Sequence, residues 1–158
     1  MLTELVTKDF VAVNADAKNW EEAISCAGRL MWQNGCVESK YIDRMIETTR
    51  VMGPYNVVAP GIALVHARPE DGVNETCVSI VVLNKSVVFG NPEHDPVKVV
   101  IGLAADTDNT HMEVIMGIAN MLRDRNSFIS VCQCRHRSEV VRLVRSILTK
   151  PLEKLVLA

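Results

Sequence analysis

Apolar and polar residues alternate along the chain with two periods, and the places where the period changes mark the elements. Trp20, Ala23, Ile24, Ala27, Leu30 and Met31 recur at the spacing of one helix face. Asn19 followed by Glu22 has the spacing of an Asn-variant capping box, and Gly35 supplies a stop. A second helix is predicted over 39–52, with Tyr41, Ile42, Met45, Ile46 and Thr49 as its apolar stripe and Gly53-Pro54 as its end. Arg50 falls near the C-terminus of that helix, one position past Thr49. Shorter, β-branched runs then predict strands over 9–13, 56–59, 62–67, 76–83 and 97–105. "NKS" (84–86) is expected to turn the chain into a further short strand at 87–89, and "GNPEHDP" (90–96) to form a loop. The helical period then returns. Thr110 with Glu113 predicts a capped start that puts His111 at the first helical position, with Val114, Ile115, Ile118, Met121 and Leu122 facing inward. A short helical turn is expected near 127–132, and a last helix on Val140, Val141, Val144, Ile147 and Leu148. Pro151 interrupts it, and "LEKLVLA" reads as a terminal turn or a helical extension.

Strands in the middle with helices on either side predict an α/β fold, the helices covering a mostly buried sheet. With 158 residues the chain suits a single domain spanning 1–158. The hydrophobic content is 48%, the charged content 23% and the formal net charge −2. That balance argues against nucleic acid as the main partner and against tight binding to an anionic bilayer. The N-terminus has no basic stretch followed by an apolar run, and no window approaches the roughly 20 apolar residues of a membrane span. The odd number of cysteines, five, and their apolar settings suit free thiols in a reducing cytoplasm. No coiled-coil seam or extra apolar face sets an oligomeric state.

The candidate chemistry rests on histidine, the side chain best suited to accept and release a group near neutral pH. Of His66, His94, His111 and His136, two have special addresses. His66 ends a buried strand, and His111 opens a helix just after another. If those strands are neighbours, both imidazoles lie at one sheet edge, where sites in α/β folds tend to form. The helix start at Thr110 is a plausible anion seat, and Arg50 and Arg68 are available as forked donors to phosphate oxygens. That is the equipment of phosphoryl transfer, although a histidine on an apolar stripe is more often a core or cap residue. "CQCRH" (132–136) has metal-capable side chains but lacks the second ligand pair of a structural zinc site. His94, between Glu93 and Asp95, reads as part of a solvated loop. No phosphate-binding loop, dinucleotide fingerprint or G-x-S-x-G elbow is present, so neither a cofactor nor a metal is expected.

"GPYNVVAPGIALVHARPEDGV" and "DPVKVVIGLAADTDNTHMEVIMGIANML" together resemble an enzyme IIA of the bacterial sugar phosphotransferase system. The resemblance is to the mannitol/fructose (type 2) superfamily, nearest its L-ascorbate branch, and runs from about Trp20 to the last helix. It implies a three-layer α/β/α sandwich around a mixed sheet. It also implies that His66 takes a phosphoryl group from the phosphohistidine of the carrier HPr and hands it to a cysteine of a cognate IIB. IIB in turn serves the membrane permease IIC. His111 matches the histidine that supports the phosphohistidine, and Arg50 matches a family arginine by its distance from the active histidine. Arg68 fits the branch pattern. Where relatives usually carry proline before the active histidine, this chain has Val65. The alternative within the resemblance is a IIA-like regulatory module whose phosphohistidine is a signalling switch. The absence of an attached helix-turn-helix favours the transport subunit.

Overall fold

The structure is a computed structural model that describes residues 2–149. Its helices are α1 (Leu2–Leu5), α2 (Trp20–Gln33), α3 (Ser39–Met52), α4 (Asp108–Arg123), α5 (Arg125–Cys132) and α6 (Arg137–Leu148). Its strands are β1 (Val11–Ala15), β2 (Val57–Ala59), β3 (Ile62–His66), β4 (Cys77–Val87) and β5 (Val97–Ala104). The strands form one sheet in the order β1-β4-β5-β3-β2. β1 runs parallel to β4 and β3 parallel to β5, whereas β4–β5 and β2–β3 are antiparallel. The sheet is therefore mixed, and β3 and β5 end at the same edge. The β2–β3 turn is Pro60-Gly61, where Gly61 has φ 80°, a backbone conformation glycine adopts without a steric penalty.

Alternation along the strands sends successive side chains to opposite faces, and each face has its own core. Ala63, Val65, Val81 and Val100 pack under Ala23, Ile24, Ala27 and Met31 of α2 and Tyr41 and Met45 of α3. On the other face, Ile62, Ile80, Ile101 and Leu103 meet Val114 and Ile118 of α4, Val131 of α5 and Val140 and Val144 of α6. This is the three-layer α/β/α arrangement expected. Each fully buried aliphatic side chain contributes about 1.5–3 kcal/mol relative to exposure, so the fold is held from both faces of the sheet.

The helix starts and stops follow the chemistry expected of them, with informative exceptions. Asn19 Oδ1 accepts from Glu22 N at 2.9 Å, but the Glu22 carboxylate bonds Lys18 N at 2.7 Å, so the return bond of a capping box goes one residue upstream. The first strand begins at Val11, after a 3-10 turn over Lys8–Phe10. Asn56 likewise lies in a 3-10 turn and not in β2, and Ala67 falls beyond the end of β3. The turn expected at 84–86 does not form: β4 runs on to Val87, absorbing a register shift between Val82 and Val87. Asn84, Lys85 and Ser86 are exposed because β1 reaches only as far as Leu83, so this polar stretch overhangs its neighbour. The loop 90–96 is ordered by Asp95, whose carboxylate accepts from Phe89 N, Gly90 N and Asn91 N.

The start of α4 also differs. Its cap is Thr107, whose Oγ1 accepts from Thr110 N at 3.3 Å, and the Thr107 carbonyl accepts from His111 N at 3.1 Å. A threonine at each of these positions allows either start, and capping at Thr107 adds nearly a turn of helix. His111 is thus the fourth helical residue, with its amide already inside the helix ladder. Pro151 and the "LEKLVLA" stretch lie outside the described residues.

Candidate active site

His66 is the last residue of β3, level with Leu103 of the parallel neighbour β5. Two buried strands hold its backbone, while its side chain keeps an exposed face. Beyond it, Arg68 N donates to Asp71 Oδ2 at 3.0 Å, closing a 3-10 turn over Pro69–Asp71 that bends the chain away from the strand end. β5 leaves the sheet at the same edge and feeds α4, which returns His111 toward His66. The ring centroids are 5.9 Å apart with the planes inclined by 57°. Loss of hydration at the crowded strand end, and then the charge of His111, hold the His66 pKa below 6.5. A neutral imidazole with a free lone pair at an exposed, rigid strand end is a nucleophile in waiting.

A groove of about 460 Å³ opens beside His66, lined among others by Arg44, Thr48, Arg68 and Asp71. Arg44 Nε lies 3.9 Å from Asp71 Oδ1, so one carboxylate holds both the Arg68 backbone and the Arg44 guanidinium. A smaller hollow of about 220 Å³ shares His66, Thr48 and Met52 with the groove and is walled further by Tyr55, Val58 and Leu64. Its rim is apolar and open to solvent, with Tyr55 82% and Met52 61% exposed, and Val51 of the larger groove is 72% exposed beside it. Exposed large apolar side chains gathered beside a reactive group mark a protein-docking surface. Val65, fully buried and level with Gly102, fills the core face beneath α3.

The structure brings His66, His111 and Arg68 to one sheet edge, and it sets Arg50 behind Glu47, a lining residue of the groove beside His66. Arg50 donates to Glu21 Oε2 and to Glu47 Oε2, each at 2.9 Å, and its guanidinium carbon lies 6.0 Å from the Trp20 ring centroid. It lines neither hollow beside His66. Arg44 is the arginine of α3 that does. Helix phase explains the difference: Arg44, Glu47, Thr48, Val51 and Met52 line the groove beside His66, whereas Arg50 reaches Glu21 of α2 while also holding Glu47. That spacing was available in the sequence. Thr110 bonds the hydroxyl of Thr107 at 2.8 Å and so belongs to the helix cap. His94 is half-buried in the ordered loop, with its carbonyl accepting from Gly61 N at 2.9 Å, so the solvated-loop expectation does not hold. His136 caps α6, with its N–H on Glu139 Oε1 at 3.1 Å, and Cys134 Sγ lies 3.4 Å from Ser130 O. Among the described residues no three His, Cys, Asp or Glu side chains are grouped to hold a metal ion.

The chain is 38% identical over 135 residues to the ascorbate-specific PTS system EIIA component of Escherichia coli (strain K12), covering 85% of this chain and 88% of that protein. The fold matches the solution structure of the mannitol-specific cryptic phosphotransferase enzyme IIA CmtB from Escherichia coli, with a TM-score of 0.82, 28% identity, and 92% and 98% of the two chains covered. It also matches the complex of enzyme IIA-Mtl and phosphorylated enzyme IIB-Mtl from Escherichia coli, with a TM-score of 0.77, 28% identity, and 87% and 95% covered. Residues 4–147 match the family described as phosphoenolpyruvate-dependent sugar phosphotransferase system, EIIA 2, and the chain belongs to that family of phosphotransferases.

Proposed function

We propose that His66 is the residue this phosphotransferase phosphorylates. On this reading it accepts the group from the phosphohistidine of an HPr-type carrier and passes it to a cysteine of a cognate IIB. The observation that carries the reading is the single exposed imidazole at the end of β3, held neutral by its surroundings and faced by His111 at 5.9 Å. Transfer is an in-line displacement: the lone pair of a neutral His66 nitrogen forms the N–P bond as the donor's N–P bond breaks. The donor imidazole leaves neutral, so no proton need move. In the second step a IIB thiolate forms the S–P bond and His66 is released. His111, Arg68 and Arg44 provide N–H groups toward the phosphoryl oxygens, where positive partners act most strongly on the spread charge of the transition state. Arg50, already shared between Glu21 and Glu47, serves docking at the α2–α3 rim. The apolar rim of Val51, Met52 and Tyr55 receives the carrier and IIB in turn.

The likeness to ascorbate-specific EIIA components supports L-ascorbate as the transported compound, delivered through a membrane permease IIC. No helix among the described residues is long and apolar enough to cross a membrane. We place the chain in the cytoplasm, drawn to the membrane through IIB and IIC, and take residues 1–158 as one EIIA unit. The test is a radiolabel relay from phosphoenolpyruvate through enzyme I and HPr. The wild-type chain takes up acid-labile label and His66→Ala takes up none. Normal labelling of a folded His66→Ala variant overturns the assignment.

A further inference from the structure

Tyr41 lies on the inner face of α3 with no exposed surface, packed in the core cluster that includes Met45, Val65 and Ala104. Its hydroxyl is not a passenger in that core. Oη accepts from Ala67 N at 2.9 Å and donates to Leu103 O at 2.8 Å, with Ala67 O a further 3.3 Å contact. Ala67 is the residue after His66, and Leu103 is the residue level with His66 on β5. The β3–β5 ladder therefore stops at His66, and a side-chain oxygen from another layer joins the two backbones just past the break. Both strands leave the sheet there, one toward the Arg68 turn and the other toward His111. Burial pushes the Tyr41 pKa up to about 12, so the hydroxyl keeps its proton and remains donor and acceptor together.

We infer that Tyr41 is a positioning residue for phosphoryl transfer: its hydroxyl pins the exits of β3 and β5 and thereby sets where His66 stands against His111. The inference rests on the proposed role of His66. Without the hydroxyl, Ala67 N and Leu103 O must pair directly, which closes the strand ends, or admit water, which loosens them. Either way His66 moves relative to its partner groups. A displacement on the scale of an ångström costs roughly 10- to 100-fold in a positioned reaction.

The experiment is Tyr41→Phe, which keeps the ring in the core and removes only the oxygen. Steady-state transfer from phospho-HPr is measured together with an NMR titration of the imidazole resonances in the free protein. The expected result is a drop in kcat of about tenfold or more with the KM for phospho-HPr unchanged. The His66 titration moves from its wild-type position, toward 6.5 if the strand ends loosen and away from it if they close, because its burial and its approach to His111 both change. A folded variant with wild-type kcat, or one whose His66 titrates as in the wild type, overturns the inference. If the wild-type chain takes no phosphoryl group, the functional reading has failed, and the titration alone decides the role of Tyr41. If Tyr41→Phe does not fold, hydrogen exchange in the wild type decides it. Protection of the Ala67 amide comparable to that of the β3 amides supports the stitch, and exchange as fast as an open loop amide refutes it.

Discussion

Replacing Gly102 with alanine probes the point at which the α2 layer presses hardest on the sheet. Gly102 sits in β5, level with Val65 on one side and Ser79 on the other. A Cβ built there overlaps Ser79 Oγ and lies 3.1 Å from Met31 Cε and 3.2 Å from Ala27 Cβ. Ser79 is fully buried, and its hydroxyl donates to Ala27 O at 2.9 Å, tying the sheet to α2. The new methyl must expel that hydroxyl or lift the helix. Losing the bond and leaving its groups buried costs about 1–3 kcal/mol, and overpacking costs about 1–3 kcal/mol. The stiffer unfolded backbone of alanine returns about 0.5–1 kcal/mol. We expect a net loss of about 1–5 kcal/mol, or a fall in Tm of about 2–20 °C for a chain this size. Urea denaturation followed by circular dichroism gives the midpoint and slope. Because the overlap is with Oγ, Ser79→Ala combined with Gly102→Ala should recover part of the loss, a coupling of about 0.5–3 kcal/mol. A Gly102→Ala protein within 0.5 kcal/mol of the wild type, or a double variant no more stable than the single one, refutes the close approach deduced here.

Two further outcomes test the site. His66 must be neutral to attack, and its pKa is lowered from 6.5, so the rate of labelling by phospho-HPr should fall as the pH drops, with its midpoint below 6.5 and more than half of the plateau rate kept at 6.5. A rate already halved at 6.5, with HPr phosphorylation itself unaffected, contradicts the lowered pKa. Arg44→Gln should reduce kcat about tenfold while Arg50→Gln chiefly raises the KM for the carrier, because only Arg44 lines the groove beside His66. The reverse pattern in the same relay assay would place the transition-state arginine at Arg50.

Much of the fold was legible in the sequence because burial writes itself into periodicity. The stripes on α2, α3 and α6 and the apolar runs of β3 and β5 each report a face that must be covered. What periodicity cannot report is pairing, since ladder bonds join residues far apart in the chain. The order β1-β4-β5-β3-β2 had no sequence signal, and the meeting of His66 with His111 depended on β3 and β5 being neighbours. The errors have local causes. Asn84, Lys85 and Ser86 carry turn chemistry, yet they lie in the register shift by which β4 rejoins β5 at Val87, past its last β1 partner. Thr107 and Thr110 both fit a cap, and the longer helix prevailed.

The candidate site shows the same limit in sharper form. Distance along the chain matched Arg50 to a family arginine, but the direction of a helical side chain depends on phase: Arg44 lines the groove beside His66, and Arg50 pairs with Glu21 and with Glu47 at its margin. Tyr41 was visible only as an apolar member of the α3 stripe. Periodicity registers that its ring is buried and is silent about its hydroxyl. A buried hydroxyl must find partners, and the free backbone groups within reach are those where two strands part. In a sheet whose reactive group stands at a strand end, those groups flank the reactive residue. The same requirement that satisfies the core polar atom therefore also fixes the geometry of the site.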